Sequence, residues 1–296
     1  MKKTFLLLIF IASLTACEDY RYDDFITDFD YTAVYFPFQE LERSFVYGEF
    51  NQIQVAVQMG GKRENNIDEW VEYIIDDTVT VDSSLTLLSP EYYTLSDDSR
   101  FPMPTGSLGG ELTLSVSQEF FEMADTTVFY IPFKLLSTSL DTILESKQTM
   151  ILTLNTEAAK FGNYYHNGVT QVDSVSGNTG TIAYHQKEPV TNAVNNWELT
   201  TAAYDTLLTD GIADRKAGAV NYSFKMVVNA DNSVDIYPNL DSEWLVTSNG
   251  ASEYDPDKKE FYLNYSFQDA DGNEYTAKDT LIFRNRLLDG VNQWDL

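Results

Sequence analysis

Residues 52–59, Gln-Ile-Gln-Val-Ala-Val-Gln-Met, decide the fold class of this chain, because apolar side chains recur at every second position along them. Successive side chains of a β-strand point to opposite faces, so this spacing predicts a strand with one buried face. The same alternation returns at residues 112–116, 129–135 and 150–154. Pro132 lies within the row at residues 129–135 and predicts an edge strand or a bulge there.

Turn-forming residues separate these rows along the first half of the chain. Gly60-Gly61, Ser96-Asp97-Asp98 and residues 106–110 supply the glycine, serine and aspartate that tight turns favour. Their spacing is typical of an antiparallel sandwich. We therefore predict an all-β fold, with an immunoglobulin-like β-sandwich of about seven strands over residues 31–158.

Alternation resumes in the second half of the chain. Its apolar positions are Val220, Tyr222, Phe224, Met226 and Val228; Val234 and Ile236; Phe261, Leu263, Tyr265 and Phe267; and the run over residues 275–283. Short turns such as Asp271-Gly272-Asn273 connect the rows, which predicts a meander of sequential hairpins. For residues 179–296 we predict an up-and-down β-barrel, with a second β-sandwich as the alternative.

Residues 159–178 lack this alternation and collect Gly, Asn, Ser and Thr. Such a composition is typical of loops. We predict a linker here, with the domain boundary near Phe161.

The composition restricts the possible functions. The 296 residues include 46 Asp and Glu against 19 Lys and Arg, a net charge of −27, which repels phosphate backbones and excludes nucleic acid as a bulk partner. Apolar residues make up 43% and aromatic residues 14%, too much for a disordered acidic chain. Two His and one Cys leave almost nothing for a Cys/His metal site, so we predict neither a metal nor a cofactor.

The first residues predict an export signal. Lys2-Lys3 precedes an apolar stretch at residues 5–12, far shorter than the roughly 20 residues of a membrane-spanning helix. The following Leu14-Thr-Ala-Cys17 resembles the lipobox of bacterial lipoproteins, whose cysteine is acylated and becomes the first residue after cleavage. We predict a lipoprotein signal peptide over residues 1–16 and lipidation at Cys17, with an ordinary signal peptide as the alternative.

Acidic residues follow Cys17 directly. Glu18, Asp19, Asp23 and Asp24 lie within residues 17–30, which we predict to be an acidic tether. This start resembles the surface-export signals of Bacteroidota lipoproteins, which implies a lipid anchor in the outer membrane with the protein facing the cell exterior; a solvated tether is the alternative. Cleavage would remove two basic residues and no acidic one, changing the net charge from −27 to −29.

Short segments spread along most of the chain carry a further resemblance. They are Tyr31-Thr-Ala-Val-Tyr-Phe-Pro37, Gly60-Gly-Lys-Arg-Glu-Asn65, Tyr92-Tyr-Thr-Leu95 before residues 102–106, Tyr130-Ile-Pro132, Ser252-Glu-Tyr-Asp-Pro256, Phe261-Tyr-Leu-Asn-Tyr265, and Asp279-Thr-Leu281 leading to Arg284-Asn-Arg286. In this order they resemble a two-domain family of Bacteroidota surface lipoproteins of polysaccharide-utilisation loci. The resemblance implies an N-terminal domain of unknown function that also precedes some endo-acting glycosidases, a lipocalin-like C-terminal domain of unknown function, and a role in binding or handling glycans.

Few residues suggest catalysis. The acidic residues between 68 and 77 flank apolar ones, which favours a strand with solvated ends over a glycosidase acid pair. His166 and His185 have no accompanying serine or cysteine nucleophile motif. Asp269-Ala-Asp-Gly-Asn273 begins like a calcium loop but lacks the later glutamate, so we predict a hairpin turn. We predict no catalytic and no metal-binding residue.

The tryptophans are the candidate carbohydrate-binding residues, because aromatic faces stack on the apolar face of a pyranose ring. Trp244 and Trp294 are the stronger candidates, since polar residues flank them in predicted loops; Trp70 and Trp197 are the others. Core packing is the alternative for each of the four. The negative net charge favours a neutral oligosaccharide or polysaccharide as ligand.

Three functions remain open. The first is a glycan-binding lipoprotein that holds oligosaccharide near an outer-membrane importer without catalysis. The second is a glycoside hydrolase or esterase on an unfamiliar β scaffold, and the third is a structural accessory subunit of an importer complex. Six Asp-Ser/Thr triplets also resemble the O-glycosylation motif of exported Bacteroidota proteins, with their aspartates at Asp77, Asp125, Asp141, Asp173, Asp205 and Asp279.

Overall fold

A computed structural model describes residues 31–79, 81–177, 179–184 and 196–295. The predicted signal peptide, Cys17, the tether and His185 lie outside these residues. Among the residues described, no helix combines the length and the apolar character that crossing a membrane requires.

The first half of the chain forms two curled β-sheets, which confirms the predicted all-β sandwich. Its strands are β1 (Ala33–Tyr35), β2 (Glu40–Val46), β3 (Gln52–Gly60), β4 (Glu69–Ile75), β5 (Leu85–Leu87), β6 (Tyr93–Leu95), β7 (Arg100–Met103), β8 (Gly109–Val116), β9 (Val128–Thr138), β10 (Thr142–Ile143) and β11 (Thr149–Glu157). One sheet has the order β10-β1-β3-β8-β6, and the other β2-β11-β9-β4-β7 with β5 beside β9. The strands outnumber the predicted seven because β1, β5, β6 and β10 are short additions of two or three residues.

The sandwich core follows from the alternation. Ile53, Val55, Val57 and Met59 of β3 are buried, and the residues between them are exposed or half-buried. Aromatic side chains also meet between the two sheets: the Phe36 ring, after β1, lies 5.9 Å from that of Phe101 on β7. Each fully buried side chain of this kind contributes about 1.5–3 kcal/mol to folding, so this core is sufficient to hold the two sheets together.

The sequence predicted an edge strand or a bulge at Pro132, and the structure shows neither, because the register shift between β4 and β9 lies at Glu72/Tyr73. Strand β9 pairs with β11 on one side and with β4 on the other. Strand β4 ends at Ile75, and the next residue, Asp76, donates its backbone N–H to the Pro132 carbonyl at 2.9 Å. The missing N–H of Pro132 therefore falls where the ladder to β4 ends, and a central strand tolerates it there.

Short helices also interrupt the sandwich. An α-helix, α1 (Gln118–Ala124), follows β8 and buries Phe120 and Phe121 against the core. Two 3₁₀ turns lie at Pro90–Tyr92 and Glu145–Lys147.

The second half forms a nearly closed antiparallel barrel of eight strands, which confirms the predicted barrel over the alternative sandwich. The described residues of this half contain thirteen strands, of which eight make the barrel: β12 (Gly162–Asp173), β13 (Thr179–Tyr184), β14 (Asn196–Ala203), β15 (Thr206–Thr209), β16 (Gly211–Ile212), β17 (Arg215–Lys216), β18 (Phe224–Val228), β19 (Val234–Pro238), β20 (Thr247–Ser248), β21 (Glu253–Asp255), β22 (Glu260–Gln268), β23 (Glu274–Leu288) and β24 (Val291–Gln293). The barrel order is β19-β18-β15-β14-β12-β23-β22-β20, with β13, β21 and β24 beside β12, β22 and β23.

Two backbone hydrogen bonds join the ends of this sheet. Val234 donates to the Ser252 carbonyl, and Tyr254 donates to the Asn232 carbonyl, each at 2.9 Å. They bring the start of β19 against β21, which removes most of the exposed edge of the sheet.

The predicted linker at residues 159–178 is wrong for most of its length. Residues 162–173 form β12, which pairs with β14 and β13 on one edge and with β23 on the other. Its inward positions include His166, Gly168 and Thr170, which are buried. Because small and polar residues take the inward positions, a search for alternating apolar side chains does not detect this strand.

An ion-pair cluster connects the two halves of the molecule. Glu49, in the turn between β2 and β3, accepts hydrogen bonds from Arg286 at 2.6 Å and from Lys160 at 2.5 Å. Arg286 is 1% exposed. Burial disfavours the charge on Glu49, but the hydrogen bonds from Lys160 and Arg286 outweigh it and hold the Glu49 pKa below its usual range.

Candidate functional site

The four tryptophans occupy different environments. Trp197 is 1% exposed inside the barrel, where its ring stacks on that of His166 with 4.0 Å between the ring centroids. Trp70 lies half-buried on β4 under the Arg100 guanidinium, 4.5 Å from its ring centroid. Trp294 is 66% exposed after β24. The Trp197 ring is therefore covered by core neighbours. Carbohydrate binding remains a prediction for Trp70, Trp244 and Trp294.

Trp244 belongs to an aromatic cluster with Tyr222, Phe267 and Tyr275. Its ring is parallel to Phe267 within 12°, with 5.0 Å between centroids, and to Tyr275 within 11°, with 6.4 Å between centroids. The Phe267 and Tyr275 rings are themselves parallel within 3° at 4.8 Å. The Tyr222 ring is tilted against Trp244 at 4.8 Å. Parallel rings at these centroid distances overlap with an offset, so the buried Phe267 ring covers part of one Trp244 face, and Trp244 packs against the barrel core.

This cluster lies at the barrel end closed by the turn at residues 269–273, which we call the barrel mouth. Phe267 is the second-last residue of β22, and Tyr275 is the second residue of β23. Both occupy inward-facing positions of their strands. Trp244 comes from the loop between β19 and β20 and stacks on both of them.

Hydrogen bonds fix the Trp244 loop to the neighbouring loop before β18. The Glu243 N–H donates to the Asn221 carbonyl at 2.8 Å, and the Asn221 side-chain amide donates to the Asp241 carbonyl at 3.0 Å. The Ser223 N–H donates to the Ser242 hydroxyl at 3.0 Å. The loop position is therefore set by the fold, and Asp241, Ser242 and Glu243 lie directly before Trp244 in it.

Trp244 and Trp294 do not share a site. Trp294 follows β24, which pairs with the last residues of β23 through Arg286 and Gln293. Tyr275, beside Trp244, is at the opposite end of β23. At about 3.3 Å per residue, the strand separates the two ends by about 35 Å. Two residues that the sequence grouped together therefore face different regions of the surface.

The barrel interior contains a polar cluster that the sequence analysis did not predict. Asp279 of β23 is 2% exposed and accepts hydrogen bonds from the hydroxyls of Tyr184 and, at 2.5 Å, of Tyr265. His166 Nε2 lies 3.1 Å from Asp279 Oδ2. The Tyr265 hydroxyl in turn accepts from the Ala213 N–H at 2.7 Å. The only sequence signal was an aspartate at an inward position of an apolar row.

This cluster keeps its tyrosines protonated. Burial, then the neighbouring Asp279 carboxylate, raises the pKa of Tyr184 and of Tyr265 well above the usual value. The hydroxyls therefore act as hydrogen-bond donors to a buried carboxylate. Barrel side chains such as Trp197, Phe224 and Leu281 enclose the cluster, which suits a structural role.

Three of the five acidic residues between 68 and 77 lie in ion pairs on the sandwich. Glu69 meets Lys62 at 2.6 Å, Glu72 meets Arg100 at 2.9 Å, and Asp76 meets Lys134 at 3.0 Å. These three acids each face a cation, and Asp68 accepts hydrogen bonds from the Thr105 N–H and hydroxyl.

The Asp269 turn is held together by its own hydrogen bonds. Asp269 accepts hydrogen bonds from the Asp271 and Asn273 N–H groups and from the Tyr275 hydroxyl. This agrees with the predicted hairpin turn between β22 and β23.

Comparison with known proteins supports the fold. A family model described as "-like, C-terminal" matches residues 146–282, from the end of the sandwich through most of the barrel. No curated protein matches the chain in sequence. A crystal structure of a Bacteroides ovatus protein of unknown function is 18% identical with a TM-score of 0.68, covering 89% of this chain and 96% of its own.

Two more distant structures come from Bacteroides thetaiotaomicron. An auxiliary nutrient binding protein is 13% identical with a TM-score of 0.40, covering 86% of this chain and 93% of its own. A lipoprotein is 8% identical with a TM-score of 0.28, covering 53% of this chain and 75% of its own. The chain therefore shares its two-part all-β fold with the B. ovatus protein, and its C-terminal half resembles a known domain family.

Proposed function

We propose that this chain is a cell-surface lipoprotein that binds glycans, holds oligosaccharide near an outer-membrane importer and catalyses no reaction itself. The observation that carries the proposal is the aromatic cluster at the barrel mouth, with Trp244 half-buried among loops. Flat aromatic rings beside hydrogen-bonding groups are what sugar recognition requires.

The polar surroundings suit a sugar hydroxyl. Asp241, Ser242 and Glu243 precede Trp244 directly, and their side chains offer oxygens that accept hydrogen bonds. The loop that carries them is fixed by its hydrogen bonds to Asn221 and Ser223. A prearranged loop loses less conformational entropy on binding, which favours affinity.

The charge around the barrel mouth favours a neutral ligand. Asp241, Glu243, Asp269 and Asp271 lie in its loops, and the whole chain has a net charge of −27. Sulfated or uronic chains would be repelled on approach. A neutral oligosaccharide avoids this repulsion.

Trp244→Leu tests the barrel-mouth site. Leucine retains apolar contact with Phe267 and Tyr275 but removes the flat indole, so affinity should fall about thirtyfold, equivalent to about 2 kcal/mol. Calorimetric titration with cellohexaose, xylohexaose, mannohexaose and an anionic hexagalacturonate measures the loss. Tyr237→Leu is the matched control, because Tyr237 is 49% exposed on the neighbouring β19.

Unchanged sugar affinity in Trp244→Leu would show that the aromatic cluster is not part of the binding site. Tighter binding of hexagalacturonate than of the neutral sugars would contradict the charge argument. Trp294→Ala in the same series tests the other exposed candidate, at the opposite end of β23.

The anchor has its own test. Cys17→Ala should shift the protein from the membrane fraction to the soluble fraction or block its processing, because Cys17 is the only cysteine available for acylation. Fractionation followed by immunoblotting measures this. Full membrane retention of the variant would contradict the predicted lipid anchor.

Exposed apolar side chains favour the importer-accessory role as a second candidate. Leu240 is 83% exposed and Leu245 is 50% exposed, and both flank Trp244 in the same loop. Such a patch can contact another protein. Docking would be supported if the wild type retains the importer, the double variant Leu240→Ser/Leu245→Ser does not, and both still bind sugar. The enzyme alternative would instead be supported if the protein releases reducing ends from the hexasaccharides.

A further inference from the structure

Two segments far apart in the sequence meet at one edge of the sandwich. Strand β1 pairs antiparallel with the end of β3, and Ala33 lies opposite Gly60. Gly61 follows directly, and two clefts open beside it, with volumes of about 650 Å³ and about 630 Å³. Both clefts include Gly61 in their lining, so they are adjacent.

Gly61 is required at this point for two reasons. Its φ of +84° is a left-handed conformation that glycine adopts without strain. A Cβ atom placed on it would lie 2.2 Å from the Tyr31 carbonyl oxygen, which no side chain can accommodate without moving the backbone. The ridge between the two clefts is therefore bare backbone.

The first cleft combines donors, acceptors and an apolar surface. Lys62 and Asn66 supply N–H donors, Glu64 supplies a carboxylate, and Ile67 is 60% exposed. The Lys62 ammonium is held in place by Glu69 at 2.6 Å. Burial opposes the charge on Glu69, but the hydrogen bonds from Lys62 and Ser139 keep its pKa below the usual range. Lys62 is thus preorganised at the cleft.

The second cleft adds aromatic rings. Tyr31 is 61% exposed, and the Tyr35 ring lies against Gly60, where an added Cβ would be 3.5 Å from it. Lys147 Nζ lies 5.2 Å from the Tyr35 ring centroid. The backbone beside Tyr31 is fixed, because Asp141 accepts hydrogen bonds from the Thr32 N–H at 2.8 Å and from its hydroxyl at 2.9 Å.

The clefts differ in charge from the barrel mouth. Lys62, Arg63 and Lys147 lie here among the carboxylates of Glu64, Glu69, Asp141 and Glu145, so both signs of charge are present in a chain whose net charge is −27. A surface with both cationic donors and anionic acceptors matches a ligand whose groups both donate and accept, which is the property of sugar hydroxyls. Exposed aromatic and aliphatic side chains match the apolar face of a pyranose.

We propose that the double cleft around Gly61 is a second oligosaccharide-binding site, with Tyr31 as its stacking residue and Lys62 as its principal donor. The choice of sugar as ligand rests on the proposed function. The site itself rests on the geometry of the sandwich and is independent of Trp244.

The experiment is a calorimetric titration of the purified full chain with cellohexaose, xylohexaose and mannohexaose. We expect two hexasaccharides per wild-type chain and one per Tyr31→Ala chain, with the Kd of the remaining site unchanged. Phe38→Ala is the matched control, since Phe38 is 59% exposed elsewhere on the sandwich, and it should keep both sites. Trp244→Leu should also leave one site, and the double variant should leave none.

Each outcome separates the two proposals. Two intact sites in Tyr31→Ala would overturn the Gly61 cleft while leaving the proposed function in place. Loss of a site in Tyr31→Ala with no change in Trp244→Leu would support the cleft and overturn the barrel-mouth site. A single wild-type site is assigned by whichever variant abolishes it, and no binding of any hexasaccharide would overturn both.

Discussion

The sandwich and the barrel are built from the same alternating strands but have different interiors. The sandwich core consists of apolar and aromatic side chains such as Phe101, Leu114 and Phe133. The barrel core surrounds a carboxylate, Asp279, with two tyrosine hydroxyls and a histidine. The sandwich interior is apolar, with paired polar side chains such as Asn65 and Glu69 buried beside it, whereas the barrel has a paired polar cluster inside its core.

This difference teaches that period-two alternation determines the strand but not the chemistry of the interior. Apolar cores tolerate substitution in proportion to the volume removed. A buried polar group that loses its partner leaves the others unsatisfied, which costs more than the lost contact itself. The barrel should therefore respond sharply to changes that the sandwich would tolerate.

Asp279→Ala should have the largest effect. It leaves the Tyr184 and Tyr265 hydroxyls without their acceptor and His166 without the facing carboxylate, so we expect a loss of about 4 kcal/mol in the free energy of unfolding. Denaturant titration measures the loss. Asp271→Ala, at an exposed turn, is the control and should change stability by less than about 0.5 kcal/mol. Equal effects of the two variants would mean that the polar interior is not a special feature of the barrel.

Arg286→Met should have the second-largest effect, because it removes the buried cation that bridges the barrel to Glu49 of the sandwich. Glu49 would keep Lys160, so we expect a loss of about 3 kcal/mol, at the lower end for breaking a buried pair. Thermal unfolding followed by circular dichroism measures the loss. Arg284→Met, a half-buried neighbour on β23, is the control.

The contact between Arg286 and Glu49 joins the two predicted domains, and apolar side chains also cross between them. Val46 of the sandwich packs in the barrel core, and Tyr204 of the barrel packs against the sandwich core. We predict that residues 31–158 and 159–296 each fold when expressed alone, with the barrel fragment weakened by the loss of Glu49. Absence of a cooperative melt in both fragments would contradict that division.

Alkaline pH should destabilise the barrel more than the sandwich. Burial raises the pKa of four barrel tyrosines, Tyr164, Tyr184, Tyr254 and Tyr265, and of two sandwich tyrosines, Tyr73 and Tyr93. A raised folded-state pKa keeps each hydroxyl protonated while the unfolded chain ionises near pH 10, so stability is intact below about pH 10 and falls above it. Each such tyrosine costs about 1.4 kcal/mol at about pH 11.

Denaturant titration of the two fragments at neutral and alkaline pH measures this difference. The barrel fragment should lose about 2.8 kcal/mol more than the sandwich fragment at about pH 11, because it has two more buried tyrosines of this kind. A larger loss in the sandwich would contradict the comparison.

Gly61→Ala should lower the free energy of unfolding by more than the roughly 1 kcal/mol of strain at positive φ, because the new Cβ would also lie 2.2 Å from the Tyr31 carbonyl oxygen. Gly106→Ala is the matched control: Gly106 has a φ of +86° but no atom within 4 Å of an added Cβ. Only Gly61→Ala should also weaken sugar binding, because only there must the Tyr31 backbone move. Equal sugar binding by both variants would show that Gly61 does not belong to the binding site.

The alternating rows by themselves determined the fold class. Gln52–Gly60 is a strand because apolar residues at every second position can be buried only in an extended chain, and the same local rule found four of the eight barrel strands, β18, β19, β22 and β23. The rule missed β12, where the barrel takes His166, Gly168 and Thr170 inward. Their burial depends on partners such as Asp279, which are distant in sequence.

The sites were decided by tertiary structure. Trp197 and Trp244 are the same residue type near polar neighbours, yet one lies in the barrel core and the other at its mouth. Tyr31 and Gly61 were visible as separate segments, but only the pairing of β1 with β3 brings them to one cleft. Alternation is a property of neighbouring residues, so the sequence carries it directly; exposure and the meeting of distant side chains depend on which strands pair, and that is fixed only when the whole sheet closes.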